Sequence, residues 1–227
     1  MKLKKEFLAA MILCLVLSAF DLPETGLTNE SSTGDTTEFV CVRSEEDINL
    51  YTRWIPVTKE RSVRQIMVSF TVNAGREEVI DILSDESLYL QWMKSAKQYY
   101  RIRTVNENSW YAYIQFSIPW PLKNQDCILK YEVLPPSDAA INVIQVSSVP
   151  EYMADQKGVE RISHMELTWV ITEIAPDQTF IQYYAFSNQP PKFPTWITDP
   201  IIQKNTIKTM SALQDICQAV NLKYASS

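Results

Sequence analysis

From Tyr99 onward, apolar and polar residues alternate through a series of short runs. Tyr99 to Val105, Trp110 to Ile118, Cys127 to Leu134, Ile141 to Val149, Arg161 to Ile174 and Thr179 to Phe186 each follow a period of two, the signature of strands. Asn106-Glu107-Asn108, Pro135-Pro136-Ser137-Asp138 and Ala175-Pro176-Asp177-Gln178 separate runs with turn-forming residues. Consecutive strands joined by short polar turns pair antiparallel. Upstream, Phe39 to Val42, Ile48 to Val57 and Arg64 to Val72 predict three further strands. Between the two groups, Asn73 to Glu78 opens a short helix whose acidic first turn suits the helix dipole. Its apolar stripe is Val79, Ile80 and Leu83. Order then loosens through Ser84-Asp85-Glu86-Ser87, ahead of Leu88, Leu90 and Trp92.

The period changes near the C-terminus. Ile202, Thr206, Met210, Leu213, Cys217 and Val220 recur every three or four residues, predicting one amphipathic helix of about six turns. Thr198 or Asp199 is the expected cap, with Pro200 at the first helical position. Strands in series cannot bury their inner face alone, and this helix is the cover they need. The fold class is therefore α+β, with residues 39–224 forming one domain.

One stretch resists both periods. In Pro119-Trp120-Pro121-Leu122-Lys123-Asn124-Gln125-Asp126, two prolines fix φ and remove two backbone donors, so neither a helix nor a central strand continues through it. It predicts a bend, with Trp120 and Leu122 anchoring it to the core.

Composition narrows the setting. The apolar fraction of 46% permits a sizeable core, and four glycines leave no glycine-rich phosphate cradle. The N-terminus is basic over Met1 to Lys5 and uncharged from Phe7 to Phe20, too short for a span of ~20 residues but suited to an export signal. Ser18 and Ala19 offer cleavage sites. The expected organisation is a signal peptide over 1–19 and a flexible tether over 20–38, with an uncleaved N-terminal membrane anchor as the alternative. Cleavage after Ala19 removes three lysines and one glutamate and takes the net charge from −6 to −8. An acidic surface disfavours nucleic acid, and any membrane contact must be transient and use apolar groups. Cys41, Cys127 and Cys217 are too few and too widely spaced for a zinc site or a disulfide scaffold. One disulfide among them stays open.

Catalytic chemistry has little support. The one histidine, His164, falls on the strand face opposite Met165, Leu167, Trp169 and Ile171, which is the solvated side. No metal-ligand spacing and no Gly-x-Ser-x-Gly elbow is present. Neither cofactor nor catalytic residue is assigned.

Three motifs in order carry a family resemblance. Pro119-Trp120-Pro121-Leu122-x-x-Gln125-Asp126 resembles the Pro-Trp-Pro-Leu-x-x-Arg-Asp signature of START domains, the lipid-transfer domains related to the steroidogenic acute regulatory protein. Lys157-Gly158-x-x-Arg161 resembles the family loop that leads into a later strand, and Pro194-x-Trp196 the segment before its C-terminal helix. The likeness spans roughly Val40 to Val220. Gln125 departs from the usual Arg, and Tyr131 stands where some sterol-binding members carry a buried Arg.

The resemblance implies a helix-grip fold: a curved antiparallel sheet wrapped around the C-terminal helix, with an apolar cavity between them. It implies that a lipid or another hydrophobic small molecule binds inside a monomer. The expected lining is Trp110, Ala112, Ile114 and Phe116 on one strand, Cys127, Leu129 and Tyr131 on the next, and Met210, Leu213 and Cys217 on the helix. Tyr131 and Arg161 are the expected polar contacts, and Leu134 to Ala139 with Asn188 to Trp196 the expected gates. A helix-grip enzyme of cyclase or hydrolase type and a solid-core interaction module are the other readings.

Overall fold

A computed structural model describes residues 38–58, 62–118, 123–188 and 194–225. The signal, most of the tether, Pro119 to Leu122 of the bend, and positions 189–193 of the second gate lie outside these residues.

Ten strands form one sheet: β1 (Val40–Glu45), β2 (Ile48–Pro56), β3 (Ser62–Val72), β4 (Ala96–Asn106), β5 (Ser109–Phe116), β6 (Asn124–Asp138), β7 (Ile141–Ser148), β8 (Val159–Arg161), β9 (Met165–Ala175) and β10 (Gln178–Ser187). Their spatial order is β1-β2-β3-β10-β9-β7-β6-β5-β4, antiparallel throughout, and β8 adds to the start of β6 in parallel. The chain thus lays down one flank, crosses through two helices to the far edge, and returns strand by strand to close on β3. Those helices are α1 (Arg76–Ser84) and α2 (Glu86–Trp92); α3 (Thr195–Ala225) covers the inner face.

Local chemistry explains where the reading of the chain shifts. Gly75 caps α1, and its N–H donates to the Glu78 carboxylate at 3.0 Å. The expected loosening after Ser84 is instead a cap: Asp85 Oδ1 accepts from the Ser87 N–H at 2.7 Å and starts α2. Pro135 and Pro136 do not form a turn. They sit inside β6, where the pairing with β7 breaks register between Leu134 and Asp138, so no ladder donor is missed. The expected strand from Arg161 divides into β8 and β9 around Ile162 to His164.

Helix α3 begins three residues before Thr198, so neither Thr198 nor Asp199 is its cap and Pro200 lies inside it. The expected stripe is the buried side: Ile202, Thr206, Met210, Leu213 and Cys217 are all 3% exposed or less. Asp199 serves another purpose, accepting from Arg64 Nη1 on β3 at 2.6 Å. Near the other end, Gln214 donates to the Thr71 carbonyl at 2.9 Å and Asn221 to that of Asn73 at 2.7 Å. The helix is thereby pinned to β3 at both ends, with its middle over the sheet.

Candidate functional site

Side chains opposite one another in an antiparallel ladder share a face. The register therefore places Trp110, Ala112, Ile114 and Phe116 on the same face as Tyr131, Leu129, Cys127 and Gln125. This is the inner face. It meets α2 and α3 in one apolar core that also takes in Ile66, Leu167, Trp169 and Ala185.

Among the described residues, two adjoining voids interrupt that core. The larger offers about 40 Å³ to the centres of water-sized spheres, and Ile66, Ile114, Phe116, Leu129, Met165 and Ala185 form its sheet side. Tyr89 of α2, Met93 at its C-terminal cap and Thr206 of α3 complete it. The smaller, of about 10 Å³, lies among Leu83, Trp92, Trp110, Tyr131, Ile144 and Trp169. Tyr89, Met93, Leu167 and Tyr183 border both, so the two are neighbours along one seam. A water needs roughly 10–15 Å³ on this measure, so the larger void has room for a few small groups and the seam as it stands is narrower than a lipid.

The expected lining separates into three groups. Ile114, Phe116 and Leu129 border the larger void, and Trp110 and Tyr131 the smaller. Ala112 and Cys127 are fully buried between them on the same strands, and Met210, Leu213 and Cys217 are buried on α3, all five off the void walls. The helix contributes Thr206 instead. Tyr89, Met93, Met165, Tyr183 and Ala185 were not anticipated. The alternation in β9 and β10 carried the signal for the last three, and the four-residue spacing of Tyr89 and Met93 carried it for α2.

Arg161 requires a correction. It pairs in register with Asp126, and Asp126 alternates with Gln125 and Cys127, so both point to the outer face, away from the voids. There Arg161 Nε donates to Asp126 Oδ1 at 2.7 Å and Nη2 to Oδ2 at 3.2 Å. Nη1 also donates to the carbonyls of Pro150 and Met153 at 2.8 and 2.9 Å. The guanidinium therefore straps the 150–154 segment across the outer face, helped by Tyr152 stacked on Tyr111 at 4.2 Å. Two motifs distant in sequence meet in this ion pair, and Gln125 points inward, 1% exposed, with neither amide atom partnered among the described residues.

The seam's polar groups are neutral. The Tyr131 hydroxyl donates to that of Tyr89 at 3.5 Å, and burial holds both well above the ordinary tyrosine value. Burial likewise pushes Tyr99 up to about 12 and the Cys217 thiol up to about 12. These groups keep their protons in the native state while the unfolded chain loses them near the ordinary values of 9.0 and 10.0. The unfolded state then binds fewer protons, so stability must fall as pH rises past that range, by about 1.4 kcal/mol per pH unit for each such group. Denaturant titration at stepped alkaline pH checks this. A flat profile would mean that water reaches Tyr99 and Cys217.

Comparison with known proteins locates the fold. No family model matches the chain, and no curated protein does. Among solved structures, a STAR-related lipid transfer protein fragment from Xanthomonas axonopodis matches with a TM-score of 0.69 at 21% identity, covering 79% of this chain and 98% of that one. Human StAR-related lipid transfer protein 5 matches with a TM-score of 0.68 at 13% identity, covering 82% and 89%. Human STARD10 matches at 0.65 and 22%, covering 83% and 74%. The chain has the START-like helix-grip fold: a large antiparallel sheet closed by its C-terminal helix.

Proposed function

We propose that this protein holds a hydrophobic molecule, a lipid or a compound of similar character, along the seam between the sheet and helices α2 and α3. The observation that carries this reading is the pair of adjoining apolar voids at the centre of a START-like fold. Interiors are packed to crystal-like density, and gaps at one seam mark the place where walls can part. Burying ~400 Å² of apolar ligand surface at ~25 cal/mol/Å² supplies ~10 kcal/mol before ordering costs, so micromolar binding needs no charged contact.

Opening the seam to a lipid requires α3 to lift from β3, which the Arg64–Asp199 bridge resists at one end. Trp196, 76% exposed in the first turn of α3, offers a membrane the amphipathic contact that the acidic surface does not. Export, with cleavage after Ser18 or Ala19, and delivery of the ligand between membranes belong to the same proposal, with the 134–139 and 188–196 segments as gates.

The test is mass spectrometry of an organic extract from protein purified from a bacterial periplasm. A lipid near one per chain is expected in the parent protein. It should be absent from Ala185→Met, whose longer side chain grows into the larger void at an overpacking cost of about 1–3 kcal/mol or less. A clean extract from the parent, with no uptake from a mixed lipid panel, would overturn the proposal.

A further inference from the structure

We infer that the bound molecule is uncharged and presents a hydrogen-bond acceptor, a hydroxyl or carbonyl oxygen, to Tyr89 and Thr206 inside the larger void. The inference rests on the proposed binding role and says which end of the ligand goes where. Both residues border that void. Thr206 is 2% exposed, and its Oγ1 has no partner among the described residues. A helical threonine ordinarily donates to the carbonyl four residues back, and here it does not. Tyr131 donates to Tyr89, and one bond between two hydroxyls uses one proton. The two hydroxyls can exchange these roles, so the pair keeps one proton to spare, and Tyr89 is its member that borders the larger void.

Two buried donors on one void wall are costly unless something accepts from them. Among the described residues, none bordering either void carries a formal charge at neutral pH. A carboxylate or phosphate there would be buried without a counter-charge, which costs far more than burying a hydroxyl. A hydrocarbon would leave the donors orphaned. A neutral oxygen meets both conditions, and a site built to donate discriminates strongly against analogues that cannot accept.

Thr209 is the internal control. It is 1% exposed in the same helix, with an Oγ1 that has no partner among the described residues, yet lies off the void walls.

Three fluorescent probes with one tail test the inference on the full-length protein: cis-parinaryl alcohol, cis-parinaric acid and the matching tetraene hydrocarbon. At mildly alkaline pH, where the acid is ionised, the alcohol should bind at least about tenfold tighter than the acid. Thr206→Val and Tyr89→Phe should each weaken the alcohol by about threefold to tenfold, the value of one hydrogen bond, and leave the hydrocarbon within about twofold. Thr209→Val should change none of the three. Valine keeps threonine's shape, and circular dichroism confirms that each variant is folded; Tyr89→Phe is the second, independent probe. An acid that binds as tightly as the alcohol, or variants that weaken alcohol and hydrocarbon alike, would overturn the inference while leaving the binding role intact. Failure of all three probes to bind would overturn both.

Discussion

Asp126→Asn will destabilise the protein by about 3–5 kcal/mol, the range seen when one partner of a buried ion pair is removed. For a domain of this size that corresponds to a fall in Tm of roughly 6–20 °C. The side chains of Asp126 and Arg161 are 1% and 7% exposed, so the asparagine leaves a buried guanidinium facing an amide, with the exposed Asp155 carboxylate still 3.5 Å away. The strap at 150–154 should loosen with it, because its carbonyls accept from the same guanidinium. Most of the loss is the penalty of the stranded charge rather than the worth of the pair. The double variant Asp126→Leu with Arg161→Met should therefore recover most of it, since well-packed apolar replacements of buried pairs are often neutral. Thermal unfolding of the three proteins decides the matter. Equal losses in single and double variants would mean that the pair itself, with its carbonyl contacts, supplies the stability. Both residues face away from the seam, so the double variant should keep its ligand uptake.

Trp92→Ala should cost about 3–5 kcal/mol, the usual toll for deleting a buried tryptophan. Trp92 is 2% exposed, meets Trp169 edge-on at 6.0 Å and lies against Tyr89 at 4.7 Å. Tyr89 in turn stacks on Tyr99 at 3.8 Å, so the indole is the keystone of an aromatic stack between α2 and the sheet. It also borders the smaller void, and its removal enlarges that void instead of making an isolated one. Indole added in excess should then raise the Tm of Trp92→Ala and leave the parent unchanged, because a ligand that binds only the folded form stabilises it by mass action. A variant with no response to indole would show that α2 had collapsed into the space.

Much of this architecture was legible as periodicity. The alternation that marks β9 and β10 survives in the structure because each buries one face and leaves the other wetter, while β5 and β6 also bury the outer-face residues Tyr113, Asp126 and Ile128. The stripe on α3 was legible for the same reason. The rest depended on pairings that no local pattern encodes. β8 joins β6 in parallel across a long excursion, and that register alone turns Arg161 outward with Asp126. The prolines at 135 and 136 looked like a turn because their tolerance within a strand depends on the neighbour breaking register there. The site was legible strand by strand, at Ile114, Phe116, Leu129, Trp110 and Tyr131. Its convergence was not: Tyr89, Thr206 and Ala185 come from three separate elements, brought together only when the sheet closes.

That closure has a kinetic consequence. The ladder between β3 and β10 joins the two arms of the sheet, and its partners Val72 and Thr179 lie more than a hundred residues apart. During synthesis the first three strands must wait, with Ile66, Val68 and Phe70 lacking both their β10 neighbours and the helix that covers them, until nearly the whole chain has emerged. Pairings of such long range set slow folding rates and leave apolar edges exposed to misassembly. The nascent N-terminal half is thus the aggregation-prone part of this protein, and a holding chaperone would act on it before β10 arrives.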